Sequence, residues 1–326
     1  MRTRLKCLFV FSLFVFVGFA EQSALTDAHG MLWKISGNGL KSPSYLFGTI
    51  HVRGGMQILD SIRNFNSIFN STSQFLCEIR YDLPHKDIYE NEKVKTMFKP
   101  WPVADSTYEK LLSKEDKILL DSIVGSYESL KNIMKYNYRP SSLMSSIKYS
   151  FELKKHPHIA KYSDLPNDTT QQILDKYLTD RALLQKMTIS ELDSGAWFYK
   201  FYDKLIDRIG TLSYNKEVGL LMNFIRTYAA QDSMKSKIIS MYLAQDLKGI
   251  TNNRDYLSVE VLPGVGNIDS KDFIFDFRNK NWMDKIVSMI NLKSSFIAFG
   301  CAHLGGENGI INELRKRGYK VEPISD

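Results

Sequence analysis

The sequence has few cysteines and no long block of like charges, and each shortage excludes a class of protein. Three cysteines among 326 residues are too few for the disulfide framework that stabilises small secreted proteins. Hydrophobic residues make up 44% of the chain and charged residues 24%, a composition typical of globular domains and not of disordered chains or coiled coils. We therefore expect a folded domain with a substantial core.

The positive net charge is too weak to indicate a polyanionic partner. The formal net charge is +7, but Arg2, Arg4 and Lys6 supply three of these charges, which leaves 7 − 3 = +4 for the rest of the chain. That remainder contains no Lys/Arg block of the kind that binds nucleic acid. We therefore predict that nucleic acid is not a partner.

The first 20 residues have the pattern of a secretory signal peptide. An apolar run, Leu8–Phe19, follows the basic residues, and Gly18-Phe19-Ala20 provides a small-x-small cleavage site before Glu21. The run is shorter than the roughly 20 residues of a spanning helix, although an uncleaved anchor stays open as the alternative. The sequence thus predicts a signal peptide at residues 1–20, a periplasmic or secreted mature chain, and no stable membrane span after cleavage.

Cys77 and Cys301 are the cysteines outside this segment, and both occur in strand-like runs. An oxidising compartment allows a bridge between them. Whether it forms depends on the Cα–Cα separation, which spacing along the chain does not give. A disulfide and two free thiols therefore both stay open.

Short apolar runs typical of strands occur at both ends of the chain, with helical spacing between some of them. They are Leu32–Ile35, Ser44–Val52, Gln74–Ile79, Phe273–Phe277, Ser295–Gly300 and Tyr319–Pro323. Strand–helix–strand units with buried strands indicate parallel pairing. We predict an α/β (α+β) fold whose central mixed sheet is built from two related βαβ-type halves, one from each end of the chain.

The middle of the chain, from about residue 85 to residue 250, has a helical pattern with few β-branched runs. Ser113 lies at a predicted helix start, and the aromatic stripe Trp197–Tyr202 is interpreted as core packing. We predict a large helical insertion within one domain that spans residues 21–326.

Two Gly-x-x-His elements follow predicted strands at matching positions. They are Gly48-Thr49-Ile50-His51 and Gly300-Cys301-Ala302-His303. Because ligands bind at the carboxyl ends of parallel strands, we expect the two imidazoles to meet there. Two neutral imidazoles and a carboxylate hold a transition metal and leave positions for water and substrate, and Glu78 is the nearest candidate carboxylate. The alternative is that each histidine is a hydrogen-bonded structural residue.

Motifs of several other enzyme classes are absent from the sequence. It contains no His-Glu-x-x-His helix, no P-loop, no Gly-x-Ser-x-Gly elbow and no zinc-finger cysteine pattern. Cys301 lies inside the second Gly-x-x-His element, but no local arrangement favours it as a nucleophile.

The two ends of the chain resemble the TraB/GumN family. The segments that carry the resemblance are Met31–Ile35, Tyr45–Val52, Glu78, Asp276–Asn279 and Phe299–Gly309. Leu192-Asp193-Ser194 also stands where relatives carry Leu-Glu-Thr. The resemblance implies a fold akin to the erythromycin-esterase-like and heme-binding ChaN-like proteins, with two related halves and a helical insertion.

The resemblance also implies an activity, because the family includes the Tiki proteins, metal-dependent proteases that act on secreted Wnt ligands. It implies a metal-dependent hydrolase of a peptide or protein substrate, with a divalent transition metal (Mn, Co or Zn) held by His51, His303 and Glu78. Glu78 would serve as a ligand or as the general base that takes a proton from water. Arg278 and Asn279 would be supporting catalytic groups.

A non-catalytic role is the alternative that the same resemblance allows. The two histidines would then bind heme or metal without turnover, as in ChaN-like proteins, or the protein would bind a regulatory peptide.

Overall fold

The computed structural model of the protein describes residues 29–51, 55–80, 82–83, 108–128, 130–131, 138–155, 173–193, 212–254, 256 and 272–324. The predicted signal peptide and the aromatic stripe Trp197–Tyr202 lie outside these residues.

The described strands form one mixed sheet of six strands. They are β1 (Leu32–Ser36), β2 (Ser44–Thr49), β3 (Gln74–Cys77), β4 (Thr188–Glu191), β5 (Ser295–Gly300) and β6 (Lys320–Pro323). Their order across the sheet is β4-β3-β5-β2-β1-β6. In this order β4, β3, β5 and β2 are parallel to one another, whereas β1 is antiparallel to β2 and to β6. The predicted α/β fold with a mixed sheet is therefore confirmed, and β5 lies between β2 and β3.

Ten α-helices are described along the chain. They are α1 (Ile58–Ser61), α2 (Phe65–Asn70), α3 (Tyr108–Leu111), α4 (Lys114–Gly125), α5 (Pro140–Lys155), α6 (Leu174–Leu184), α7 (Tyr214–Leu243), α8 (Leu247–Asn252), α9 (Arg278–Leu292) and α10 (Ile310–Lys316). As predicted, Ser113 caps α4, because its side chain accepts a hydrogen bond from the Asp116 N–H. No described helix is both long and apolar enough to span a membrane.

Two elements differ from the prediction. The segment Phe273–Phe277, predicted as a strand, belongs to a π-helix, Asp272–Phe277, that continues directly into α9. Its consecutive residues Ile274 and Phe275 are both buried, which a helical turn allows and the alternation of a half-buried strand does not. The predicted helical insertion also contains β4, which has a single apolar residue, Ile189, and is too short and polar for periodicity to indicate a strand.

The buried apolar residues form two clusters. The larger one covers the sheet and includes residues from both ends of the chain. The smaller one lies among α4, α5 and α7, inside the helical insertion. The 30-residue α7 belongs to both, since Leu221 and Phe224 lie in the smaller cluster and Tyr242 in the larger one. The insertion is thus connected to the sheet through a shared helix.

Phe296 of β5 lies at the centre of an aromatic group. Its ring centroid is 4.8 Å from that of Phe69, 5.6 Å from that of Phe65 and 5.9 Å from that of Phe47. Phe296 is fully buried and joins helix α2 to the central strands. Aromatic pairs at such distances stabilise a core beyond their buried area.

We expect Phe296→Ala to lower the free energy of unfolding by about 3–5 kcal/mol, since it leaves a cavity among the rings. Leu184→Ala is the matched control, because that leucine is 84% exposed, and its effect should stay within about 0.5 kcal/mol. Urea unfolding measures both values. Equal effects of the two substitutions would show that this aromatic group is not central to stability.

Candidate functional site

The carboxyl ends of four neighbouring parallel strands converge on one site. Strands β2 and β5 pair with Thr49 opposite Gly300, so His51 and His303 follow at the same edge of the sheet. Glu78 follows β3, and Asp193 follows β4, where its N–H donates to the Glu78 carbonyl at 3.0 Å. Each of these strands therefore supplies one side chain, as expected for a site at the carboxyl edge of a parallel sheet.

His51 is oriented by Asp175, which lies in the first turn of α6. Its Nδ1 is 2.8 Å from Asp175 Oδ2, and Asp175 Oδ1 accepts a 2.6 Å hydrogen bond from the Thr49 hydroxyl. Since an ionised carboxylate only accepts, His51 Nδ1 carries a proton and Nε2 faces Glu78 Oε1 at 3.8 Å. Desolvation alone would lower the pKa of His51, but the charge and hydrogen bond of Asp175 raise it to about 9.

His303 is buried and is oriented by Asn279, in the first turn of α9. The Asn279 amide nitrogen donates to the carbonyl of Asn308 at 2.8 Å and to that of His303 at 3.3 Å. The Asn279 amide oxygen therefore accepts a hydrogen bond from the His303 Nδ1–H at 2.7 Å. The lone pair on Nε2 then accepts from Arg278 Nη1 at 3.1 Å. Burial and the charge of Arg278 hold the pKa of His303 well below its usual value, so the ring is neutral.

Arg278 joins the two acidic side chains of the site. Its Nη2 donates to Glu78 Oε2 at 2.5 Å and to Asp193 Oδ2 at 2.7 Å, and its guanidinium lies 4.5 Å from the centroid of the Trp282 ring. The Trp282 indole N–H donates to Asp193 Oδ1 at 2.6 Å. Burial alone would raise the pKa of Glu78, but the charges of Arg278 and His51 hold it well below its ordinary value. Glu78 is therefore a stable anion and a weak base.

The two glycines of the Gly-x-x-His elements have different roles. A Cβ on Gly48 would lie 2.6 Å from Leu304 Cδ1 and 2.9 Å from Cys301 Cβ, so the first glycine allows close packing of the two elements. A Cβ on Gly300 would lie 3.3 Å from both Glu78 Oε1 and His51 Nε2. The second glycine therefore leaves the space between the acid and the histidines open, and its N–H donates to Glu78 Oε1 at 2.6 Å.

Two imidazoles and a carboxylate are donor types that divalent transition metals bind. Glu78 Oε1 is 3.8 Å from His51 Nε2 and 4.0 Å from His303 Nε2, whereas ligands at zinc-like bond lengths of about 2.1 Å lie roughly 3.4 Å apart. As these side chains stand, no group of three or more His, Cys, Asp or Glu in the described part of the chain is arranged to hold a metal ion. Arg278 bonds to two of the three donors, so binding requires the guanidinium to release His303.

Cys77 and Cys301 are buried free thiols, so the disulfide that the sequence left open is not formed. Burial raises the pKa of both thiols, that of Cys301 to about 12. Because the thiolate is the nucleophile, neither cysteine is suited to thiol chemistry at neutral pH.

A family model described as the TraB/PrgY/gumN family matches residues 31–323. The chain belongs to the TraB/PrgY/gumN family. The match includes both Gly-x-x-His elements and the helical insertion between them, so the resemblance seen at the two ends is confirmed and extends along nearly the whole chain. No curated protein and no solved structure matches the chain.

In this TraB/PrgY/gumN protein the site brings together all five residues that the sequence indicated, which are His51, Glu78, Arg278, Asn279 and His303. It also contains Asp193, whose short motif the sequence had indicated without a role. Asp175 was missed, because Leu174-Asp175-Lys176 has no feature that distinguishes it from an ordinary helix start.

The lowered pKa of Glu78 has a consequence for the acid stability of the metal-free protein. A folded-state pKa below the unfolded value contributes stability above the unfolded pKa, and this contribution is lost as the pH falls. We expect the wild type to lose roughly 2 kcal/mol more than Glu78→Gln between pH 7 and pH 3, because only the unfolded chain takes up the proton over most of that range. Urea unfolding in EDTA at both pH values measures the difference, and parallel losses would contradict the pairing of Glu78 with Arg278.

Proposed function

We propose that this protein is a metal-dependent hydrolase, and specifically a peptidase, that acts in the periplasm or outside the cell. One observation carries the proposal. Both histidines donate Nδ1–H to an oxygen and direct Nε2 toward Glu78 Oε1. Histidine ligands of metals in proteins are oriented by outer partners of this kind, which set the tautomer and the direction of the ring.

His51, His303 and Glu78 would hold the ion, a divalent Mn, Co or Zn. When bound, such a metal lowers the pKa of a coordinated water toward neutrality and so supplies a nucleophile without an activated serine or cysteine. Gly300 provides the space between the ligands, because any larger residue would place a Cβ 3.3 Å from two of them.

Of the two roles proposed for Glu78, its environment favours that of a ligand. Its carboxylate is bonded to Arg278 and to the N–H of Gly300, and its pKa is held well below the ordinary value. A general base works best with a pKa near the operating pH, and Glu78 is far from that condition. Arg278 donates hydrogen bonds to both Glu78 and Asp193. These bonds favour a role for Arg278 in orienting Glu78, and not in binding a carboxylate of the substrate.

The exposure of the site indicates how substrate reaches it. The side chain of His51 is 47% exposed, whereas those of Glu78 and His303 are 11% and 3% exposed. A substrate would therefore approach from the His51 side. The peptide class of the substrate follows from the family resemblance.

The packing around His303 favours a small ion over heme. Its ring lies 4.5 Å from the centroid of Trp282 and 5.2 Å from that of Phe275, and Arg278 Nη1 donates to Nε2. A flat macrocycle on His303 would have to displace buried rings, whereas a single ion only requires Arg278 to withdraw.

We expect the purified mature chain, residues 21–326 without a histidine tag, to bind one equivalent of a transition metal. His51→Ala and His303→Ala should each abolish metal binding and peptide hydrolysis, because each removes a ligand. His29→Ala is the matched control, since His29 is exposed. Elemental analysis and a peptide-cleavage screen measure the two properties.

Full metal content and activity in either site variant would refute the shared site. If neither the wild type nor the variants bind Mn, Co or Zn after reconstitution, the protein is a binding or regulatory member of its family. Circular dichroism of each variant separates loss of a ligand from loss of the fold.

Metal affinity should rise with pH in the neutral range. A ligand imidazole must be neutral, and in the metal-free protein Asp175 raises the pKa of His51 to about 9. Metal therefore displaces a proton from His51 below that pH, and the affinity should fall about tenfold per pH unit. Calorimetry in buffers of different ionisation enthalpy counts the proton released. Equal affinity at pH 6 and pH 8 would contradict this role of His51.

A further inference from the structure

Thr49 and His51 of the first Gly-x-x-His element bind the same carboxylate. Thr49 is the last residue of β2, and His51 follows it two residues later in a bend. Thr49 donates to Asp175 Oδ1 at 2.6 Å and His51 Nδ1 contacts Oδ2 at 2.8 Å. Both carboxylate oxygens of Asp175 therefore have a hydrogen-bond partner, and the Asp175 side chain is only 6% exposed.

The second half of the site repeats this arrangement with a different residue. Asn279 is the second residue of α9 and orients His303, as Asp175 is the second residue of α6 and orients His51. Each orienting residue is thus the second residue of an α-helix, although α6 begins after the extended residue Ile173 and α9 continues from a π-helix. Asp175 has a carboxylate and Asn279 an amide. His51 is therefore oriented by an acidic side chain, and His303 by a neutral one.

The backbone at Asp175 is held within α6. Thr179 donates its hydroxyl to the Asp175 carbonyl at 2.9 Å, and both residues are buried. Helix α6 packs on the sheet through Leu174 and Leu178, which are fully buried in the core that includes β3. The helical insertion therefore presents Asp175 from a helix that packs on the core.

We propose that Asp175 is a positioning residue, which together with Thr49 keeps the Nδ1 proton of His51 engaged and its Nε2 directed at Glu78. The helical insertion thereby completes a site that the sheet alone builds in part. The metal-binding consequence rests on the proposed function, whereas the orientation of the His51 ring does not.

Three variants test this role. Asp175→Ala removes the acceptor, Thr49→Val removes the second anchor, and Asp175→Asn keeps an amide oxygen for His51, as Asn279 does for His303. We expect Asp175→Ala to lower metal affinity about 10–100-fold, the usual effect of losing an outer partner of a ligand histidine. Asp175→Asn should recover most of this loss, and Thr49→Val should cause a smaller loss than Asp175→Ala.

Asp180→Asn is the control on the same helix, because Asp180 is paired with Lys176 at the surface. It should leave metal affinity unchanged. A loss equal to that of Asp175→Ala would show that the charge of α6, and not the contact with His51, is responsible.

A second readout needs no metal. In the metal-free, ¹⁵N-histidine-labelled protein, the Nδ1 proton of His51 should give a low-field resonance that is lost in Asp175→Ala and retained at a changed shift in Asp175→Asn. Retention of the resonance in Asp175→Ala would overturn the proposal, even if that variant binds metal weakly. If the wild type binds no metal, the proposed function fails, and the resonance still decides the role of Asp175.

Discussion

The parallel pairing of β2 with β5 is the constraint on which the rest of the structure depends. These strands come from opposite ends of the chain, and their register places Thr49 opposite Gly300. Without that pairing the two Gly-x-x-His elements would be separated by the whole helical insertion. With it, His51 and His303 both lie within about 4 Å of the same Glu78 oxygen, and Gly48 allows close packing against Cys301 and Leu304.

Buried charge at this edge of the sheet is balanced by a small number of contacts. Arg278 bonds to both Glu78 and Asp193, so neither carboxylate is left unpaired near the core. Removing one partner of such a group leaves an uncompensated buried charge, which is strongly destabilising. The same arrangement places a negatively charged oxygen beside two imidazoles, which are donor types that divalent transition metals bind.

Much of the sheet was predictable because its strands are short apolar runs bounded by turn residues. Ser295–Gly300 is buried on both faces, and its sequence contains an uninterrupted apolar stretch that indicates this. Strand β4 was not predictable, since Thr188–Glu191 is held in the sheet by its pairing with β3 and not by an apolar pattern of its own. The π-helix before α9 was misread as a strand, because its composition is strand-like and only its packing is helical.

The sequence by itself indicated the residues that converge, since the two Gly-x-x-His elements and Glu78 follow apolar strand patterns and the family resemblance added the Arg278-Asn279 pair. Those patterns are local, so they place each residue at the end of an element. Only the tertiary structure decided which outer groups orient them. Asp175 reaches His51 across 124 positions of sequence, and no local propensity encodes a contact between a helix start in the insertion and a strand end in the sheet.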